Sequence, residues 1–277
     1  MRQIILTIVL FLALVLPCQS QMLQSVVTGK TTVSAHTDYT ADVNCMGAWF
    51  MNGGFSAGTD NETDRSGESG TLIETGGDIP NSSTTPTSFS GTSRDFEAGE
   101  SEYLTHANNL STDITGSALT IVAQIKSENI TNGTYQGVVG KYDTNSQKQY
   151  VLVLYGNNTD SYVVRAYLSA DGSATTVAET DQGYASGTYR CIGVVYNGSA
   201  IQIYVDGTTK GSPSAFSSNL HAGSSTFNLG MYLSSGSAAN YFDGLMDEVA
   251  VFDRALSADE MLEICSYGID GSNGGND

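Results

Sequence analysis

Three acidic side chains near the end of the chain have types suited to catalysis. Asp247 and Glu248 are adjacent at the start of an apolar run, and Asp253 follows at its far end. Two carboxylates about 5 Å apart can serve as nucleophile and acid in a retaining glycosidase. On a strand, neighbouring residues point to opposite faces, and residues six apart are separated by about 20 Å. The spacing therefore predicts no catalytic pair and no enzyme, and these acids are interpreted as partners for backbone groups and Arg254.

Tyrosine is the residue type best suited to binding. The sequence contains fifteen tyrosines and one tryptophan. A tyrosine ring offers a flat apolar face to a sugar ring, and its hydroxyl can bond sugar hydroxyls. The candidate ligand-binding residues lie in strand-like segments and are Tyr155, Arg165, Tyr167, Gln202 and Tyr204. The alternative is that these side chains only cover an ordinary sheet surface, because tyrosine is a favoured strand residue.

The N-terminal residues 1–20 are predicted to be a signal peptide. Arg2 precedes an apolar run over 4–16, and residues 17–20 resemble a cleavage region. The run is too short for a membrane span, which needs about 20 residues, and no later segment is apolar enough. We therefore expect a secreted, extracellular protein that does not insert into membranes.

The charge of the chain is strongly acidic. The sequence has 11 lysines and arginines against 29 aspartates and glutamates, for a formal net charge of −18. Such a surface repels phosphate backbones. This composition excludes nucleic acid as a partner.

Three cysteines follow the predicted leader. Cys45 and Cys265 flank the two ends of the predicted domain, and the ends of a domain often lie close together. Cys191 lies within the strand-like segment YRCIGVVY, where a buried thiol is expected. The sequence therefore predicts a Cys45–Cys265 disulfide and a free Cys191.

Short apolar runs separated by turn signals dominate the rest of the chain. IQIYV alternates between its two faces, and Asp-Gly and Asn-Gly pairs mark turns between the runs. One helix is indicated by the capping box Ser257–Glu260, with Gly268 at its end. The pattern predicts an all-β, two-sheet antiparallel sandwich with one short C-terminal helix. We expect an N-terminal extension over 21–44, the domain over 45–268 and a flexible tail over 269–277.

An ordered set of motifs adds a family resemblance over about residues 49–265. The two most specific are the hairpin in GTYRCIGVVYNGSAIQIYVDG and the final segment FDGLMDEVAVFDRALSADEM. This set resembles the laminin G-like jelly rolls of the concanavalin A-like lectin and glucanase superfamily. The resemblance implies two antiparallel sheets of about a dozen strands, with the first strand, around Trp49, beside the last. It also implies ligands on a concave sheet or at the loop rim.

Calcium is the cofactor that the resemblance implies, because the family often holds this ion in loops at the rim. An acidic loop supplies the candidate ligands Asp60, Asp64 and Glu68. Carboxylate oxygens suit calcium, although the spacing matches no EF-hand.

These observations favour a secreted, non-catalytic binding module. The expected partner is a carbohydrate or another extracellular or surface protein. Two alternatives remain open at this point. One is a structural or adhesive component that assembles with itself or with other proteins. The other is a glycan hydrolase or lyase with the same fold.

Overall fold

The chain folds into two antiparallel β-sheets in a computed structural model that describes residues 36–52, 61–68, 70–87, 89–108 and 111–272. The predicted signal peptide and Asp60 lie outside these residues. Strands are numbered β1 to β18 in chain order.

Eight strands form the first sheet. They are β1 (Cys45–Trp49), β3 (Asn81–Ser82), β4 (Ser93–Phe96), β6 (Leu119–Ser127), β12 (Arg190–Tyr196), β13 (Ala200–Val205), β14 (Thr208–Ala215) and β18 (Gly244–Phe252). Their order is β14-β13-β12-β6-β18-β4-β3, and β1 also pairs with β18. Trp49 on β1 lies opposite Val249 on β18, so the predicted pairing of the first strand with the last is confirmed.

Eight further strands form the second sheet. They are β2 (Ile73–Thr75), β5 (Tyr103–His106), β7 (Tyr135–Lys141), β8 (Tyr150–Asn158), β9 (Ser161–Leu168), β10 (Thr176–Glu179), β11 (Tyr184–Ala185) and β15 (Phe227–Leu229). Their order is β10-β9-β8-β7-β15-β5-β2, and β11 also pairs with β9. A small hairpin, β16 (Tyr232–Ser234) and β17 (Ser237–Ala239), is separate from both sheets.

The inner faces of the two sheets enclose the main apolar core. Alternation along each strand directs one set of side chains inward, such as Ile121, Ala123 and Ile125 on β6. Trp49 from the first sheet stacks on Phe227 from the second, with ring centroids 5.2 Å apart. This arrangement confirms the predicted all-β jelly-roll sandwich.

A single α-helix, α1 (Ala258–Tyr267), follows the last strand. Ser257 and Glu260 form the predicted capping box, and Gly268 ends the helix with a φ of 84°. The buried side chains Met261 and Ile264 pack on the outer face of the first sheet. In the described part of the chain, no helix is long and apolar enough to cross a membrane.

Residues on both sides of the predicted domain limits pack into the fold. Tyr39, in a short 3-10 turn (Tyr39–Ala41), donates its backbone N–H to the carbonyl of Ile269 at 2.8 Å. The Tyr39 hydroxyl also donates to Glu263 on α1 at 2.8 Å. Because Tyr39 and Ile269 are both buried, the packed region extends beyond 45–268 at each end.

The predicted Cys45–Cys265 disulfide is wrong. Cys265 on α1 is bonded to Cys191 on β12, with Cα atoms 5.4 Å apart, and Cys45 is a buried free thiol. Cys191 projects from the outer face of the first sheet into the cluster that α1 covers. The docked helix therefore brings Cys265 to Cys191, although Cys191 lies in the middle of the chain.

Candidate ligand-binding site

The structure brings together three of the five predicted ligand-binding residues. Tyr155 lies on β8, and Arg165 and Tyr167 lie on the adjacent strand β9. Gln202 and Tyr204 lie on β13, in the other sheet. The predicted site therefore divides between two sheets.

The outer face of the first sheet is not open at β13. Tyr204 is only 8% exposed and packs in the cluster beneath α1. Gln202 donates its amide to the carbonyl of Lys210 at 3.0 Å, on the neighbouring strand β14. These two side chains therefore support the sheet and its covering helix.

Alternation on β8 explains why Tyr155 faces outward on the second sheet. Tyr150, Leu152 and Leu154 belong to the core between the sheets, so the intervening residues occupy the other face. On that face, Val153 lies opposite Arg165 and Val151 lies opposite Tyr167. The two valines are nevertheless fully buried.

Tyrosine rings cover these valines. The rings come from Tyr135 and Tyr142, in and just after β7, from Tyr167 on β9 and from Tyr232 on β16. We use the name tyrosine face for the set formed with Tyr155 and Arg165. Its members are Tyr135, Tyr142, Tyr155, Arg165, Tyr167 and Tyr232.

The rings of the tyrosine face form a continuous row in which each ring contacts the next. Tyr135 lies 4.8 Å from Tyr155 and 6.4 Å from Tyr167, measured between ring centroids. Tyr142 lies 6.4 Å from Tyr167 and 5.5 Å from Tyr232. Interplanar angles of 47° to 82° make these contacts tilted or edge-to-face. Such contacts fix the rings in place before any ligand binds.

Arg165 connects the rings by charge and by hydrogen bonding. Its guanidinium lies 3.7 Å from the centroid of the Tyr155 ring, and its Nη1 donates to the Tyr135 hydroxyl at 3.0 Å. The guanidinium also forms an ion pair with Glu179 on β10. The group offers a cation–π contact and N–H donors at the surface.

Three phenols of this face, those of Tyr142, Tyr167 and Tyr232, stay protonated at neutral pH and can donate hydrogen bonds. Burial raises the pKa of Tyr142 above its ordinary value, and it raises the pKa of Tyr232 to about 12. Burial, followed by the hydrogen bond to Tyr135, also raises the pKa of Tyr167. The tyrosine face therefore combines apolar ring surface, neutral O–H groups and one guanidinium, which are the groups that hold sugars without reacting with them.

The predicted calcium ligands do not form a cluster among the described residues. Asp64 accepts N–H bonds from Ala48 at 2.9 Å and from Ser66 at 3.0 Å, so it ties its loop to β1. Glu68 is exposed. With Asp60 outside the described residues, the calcium site at this loop stays a prediction.

Another set of carboxylates has suitable geometry for a cation. Oxygens of Asp95, Glu97 and Glu128 lie within 4.8 Å of one another. Burial, followed by repulsion from neighbouring acids, raises the pKa values of Asp95 and Glu97. Asp95 and Glu97 are two residues apart, and Glu128 is distant from them in sequence. The three meet because β4 and β6 both pair with the first residues of β18. Sequence spacing gave no signal that Glu128 joins the other two acids.

Comparison with known proteins places the fold in a family. The model of the concanavalin A-like lectin/glucanases superfamily matches residues 98–261, which is more than half of the chain. The chain belongs to this superfamily. A search of curated proteins finds no match to the sequence.

Solved structures with this superfamily fold resemble the chain at low sequence identity. Domain 4 of AbnA, an extracellular arabinanase from Geobacillus stearothermophilus in complex with arabinotriose, has a TM-score of 0.53 and 14% identity, and the match covers 80% of this chain and 98% of that one. The binding domain of Paraclostridial Mosquitocidal Protein 1 has a TM-score of 0.60 and 16% identity, over 80% and 52% of the two chains. A structure of botulinum neurotoxin type C, whose cell entry depends on two ganglioside molecules, has a TM-score of 0.55 and 12% identity, over 80% and 51%. The chain thus spans about half the length of these two toxin chains.

For a member of a superfamily that includes glucanases, the acids on β18 need a separate account. Asp247 and Glu248 are only 2% and 1% exposed, and burial raises the pKa of each to about 8. Glu248 accepts the backbone N–H of Ile269, just after α1, at 2.5 Å. The pairing of β18 with β6 is irregular between Met246 and Val249, so strict alternation does not hold at the two acids. As predicted, Glu248 bonds a backbone group, whereas Arg254 binds Asp42 and Glu260 instead.

Proposed function

We propose that this domain is a non-catalytic carbohydrate-binding module that acts outside the cell, with the tyrosine face as its binding surface. The observation that carries the proposal is the collection of five tyrosine rings and Arg165 on the outer face of the second sheet. Partly exposed rings bind the apolar faces of sugars, and the phenols and guanidinium bond sugar hydroxyls. The chain's acidic surface and the neutral phenols favour a glycan of low negative charge.

The similar structures support the same class of ligand. The arabinanase domain was solved with arabinotriose, and the toxin's entry depends on gangliosides. At 14% and 12% identity these likenesses concern the fold, so they indicate a ligand class and no particular glycan.

The positions of Asp247 and Glu248 also support a non-catalytic role. A glycosidase needs two carboxylates that reach opposite sides of the scissile bond. Both acids here are almost fully buried, and one oxygen of Glu248 is bonded to the backbone beyond α1. A substrate has no access to the pair.

The disulfide supports export. Cys191–Cys265 requires an oxidising compartment to form and persist, which agrees with the predicted signal peptide. Analysis of the protein's location and mature N-terminus in its native host tests this part of the proposal.

A glycan array followed by calorimetric titration with the best ligand tests the binding site. We expect Tyr155→Ala to weaken binding at least about tenfold, because aromatic anchors contribute on the order of 1–2 kcal/mol each. The melting temperature should change little, since Tyr155 is partly exposed.

Tyr267→Ala is the matched control. Tyr267 is an exposed tyrosine that stacks on His36. It lies on α1, which covers the first sheet, whereas the tyrosine face lies on the second sheet. Its loss should leave the affinity unchanged. Full affinity in Tyr155→Ala, or release of reducing sugar by the wild-type protein, would refute the proposed function.

A further inference from the structure

A pocket lies on the outer face of the first sheet. It has a volume of about 250 Å³ and opens beside the end of α1, above β6 and β12. Its walls come from the segment that contains Phe89, from Tyr189 just before β12 and from the last turn of α1. This pocket shares no residue with the tyrosine face.

The buried amide of Gln124 lines this pocket. Gln124 is 4% exposed, and within the described ranges its Nε2 has no hydrogen-bond partner. A buried donor without an acceptor costs about 1–3 kcal/mol. Because Gln124 is part of the pocket lining, a ligand oxygen that reaches this Nε2 would remove the cost.

The side chains of Asp206 and Ser266, at the rim of the pocket, supply hydrogen-bond acceptors that complement the Gln124 donor. Asp206 accepts the N–H of Cys191 at 3.2 Å and a bond from Arg190 at 2.6 Å, which fixes its orientation. Each carboxylate oxygen has a second acceptor position. Ser266 donates its hydroxyl to the carbonyl of Leu262 at 2.7 Å, and this hydroxyl can also accept a bond.

Two aromatic side chains supply apolar surface. The Tyr189 hydroxyl is already bonded to the carbonyl of Thr84 at 2.7 Å, so its ring is held as a wall. Phe89 lies on the same pocket. The combination of a buried amide donor, a fixed carboxylate acceptor and aromatic walls suits a group with neighbouring hydroxyls on an apolar ring.

We propose that this pocket binds a single neutral sugar residue, independently of the tyrosine face. The pocket's volume suits one ring better than a chain of rings. Asp206 at the rim disfavours an anion, and the paired Arg190 and the Gln124 donor disfavour a cation. The Cys191–Cys265 disulfide joins two walls, so the pocket exists before the sugar binds.

Nuclear magnetic resonance titrations of the full chain with methyl glycosides of glucose, galactose and arabinose test the proposal. We expect saturable shifts of the Gln124 side-chain amide and of the backbone amides that line the pocket for at least one glycoside, with a Kd on the order of 1 mM, and the backbone amides report binding in the variants. Gln124→Leu should weaken that binding at least about tenfold, because the donor is lost. Ser266 is exposed on α1, so Ser266→Tyr should block the pocket without disturbing the core. The matched control is Asp259→Tyr, at an exposed position at the other end of α1.

Tyr155→Ala separates this proposal from the proposed function. Binding at the pocket should persist in Tyr155→Ala, and binding at the tyrosine face should persist in Ser266→Tyr. Thermal melts verify that each variant is folded, and Ser266→Tyr decides the outcome if Gln124→Leu does not fold. The proposal is overturned if no glycoside gives saturable shifts, or if the shifts survive Ser266→Tyr and disappear in Tyr155→Ala.

Discussion

The outer faces of the two sheets are built in different ways. The first sheet is covered by α1, which is joined to β12 by a disulfide and buries Tyr204 and Cys191 beneath it. Over β7, β8 and β9 of the second sheet, the cover consists of tyrosine side chains. A helix protects apolar surface with its own apolar residues, whereas tyrosines protect valines below and present polar hydroxyls above. The same sandwich therefore has one face covered mainly by a helix, with a pocket beside its end, and one face covered by tyrosine side chains.

The largest expected effect concerns the disulfide on the covered face. Cys265→Ser removes a link across a sequence separation of 74 residues. The free energy of unfolding should fall by about 2–5 kcal/mol, because the unfolded chain gains freedom. Denaturant melts check this result. Cys45→Ala is the control, because Cys45 is not part of a disulfide. Reductant should still destabilise this variant, since it keeps the Cys191–Cys265 bond. An unfolding midpoint that is indifferent to reductant would contradict the assignment.

The next effect concerns pH and the buried acids of β18. The pKa values of Asp247 and Glu248 are raised by burial from 3.8 and 4.5 to about 8. The folded protein therefore binds more protons than the unfolded chain between these values, and stability should fall as pH rises from about 4 to about 8. Above pH 8 this contribution should be constant.

Asp247→Asn tests the pH dependence directly. The neutral amide removes one ionisable group, so the variant should be similar to wild type at pH 4 and several kcal/mol more stable at pH 8, because each unit by which the pKa is raised corresponds to about 1.4 kcal/mol. Denaturant melts across this pH range provide the measurement, with the exposed Asp259→Asn as control. Equal slopes of stability against pH in Asp247→Asn and wild type would show that Asp247 ionises normally.

A smaller effect on stability is expected at the tyrosine face. Arg165→Met removes the cation–π contact with Tyr155 and the ion pair with Glu179. These partly exposed contacts should contribute about 1 kcal/mol to folding, while affinity for the glycan should fall at least about tenfold. Lys148→Met, a charge-matched change at an exposed hydrogen bond, should alter neither quantity. A large loss of stability with unchanged affinity would make this face a structural cover like the helix.

The last expected effect concerns calcium, which would bind at neither of these two faces. If Asp95, Glu97 and Glu128 hold the ion, calcium should raise the melting temperature by linkage, by about 1–3 kcal/mol of stability at a large excess over Kd. Glu128→Gln should abolish the rise, whereas Glu68→Gln should preserve it. The reverse pattern would assign calcium to the predicted acidic loop. Identical melts with calcium and with chelator would remove the metal from both places.

The sequence alone predicted the fold class, the helix and several of the longer strands. The capping box at Ser257 placed α1 because its hydrogen bonds are local, and the alternation in β13 marked a strand with a period set by the backbone. The ordered motifs identified the superfamily. Alternation also pointed Tyr155, Arg165 and Tyr167 to the correct side of their strands.

Tertiary structure decided which outward-facing residues stay at the surface and which meet. Gln202 and Tyr204 follow the same alternation as Tyr167. However, Gln202 is bonded to the neighbouring strand β14 and Tyr204 is buried beneath α1. The sequence of β13 itself does not indicate either contact. Tyr232 joins the tyrosine face from a separate hairpin, and Cys265 finds Cys191 through the docking of the helix. The physical reason is that the direction of a side chain is local, whereas its neighbours depend on strand order and on the packing of distant segments.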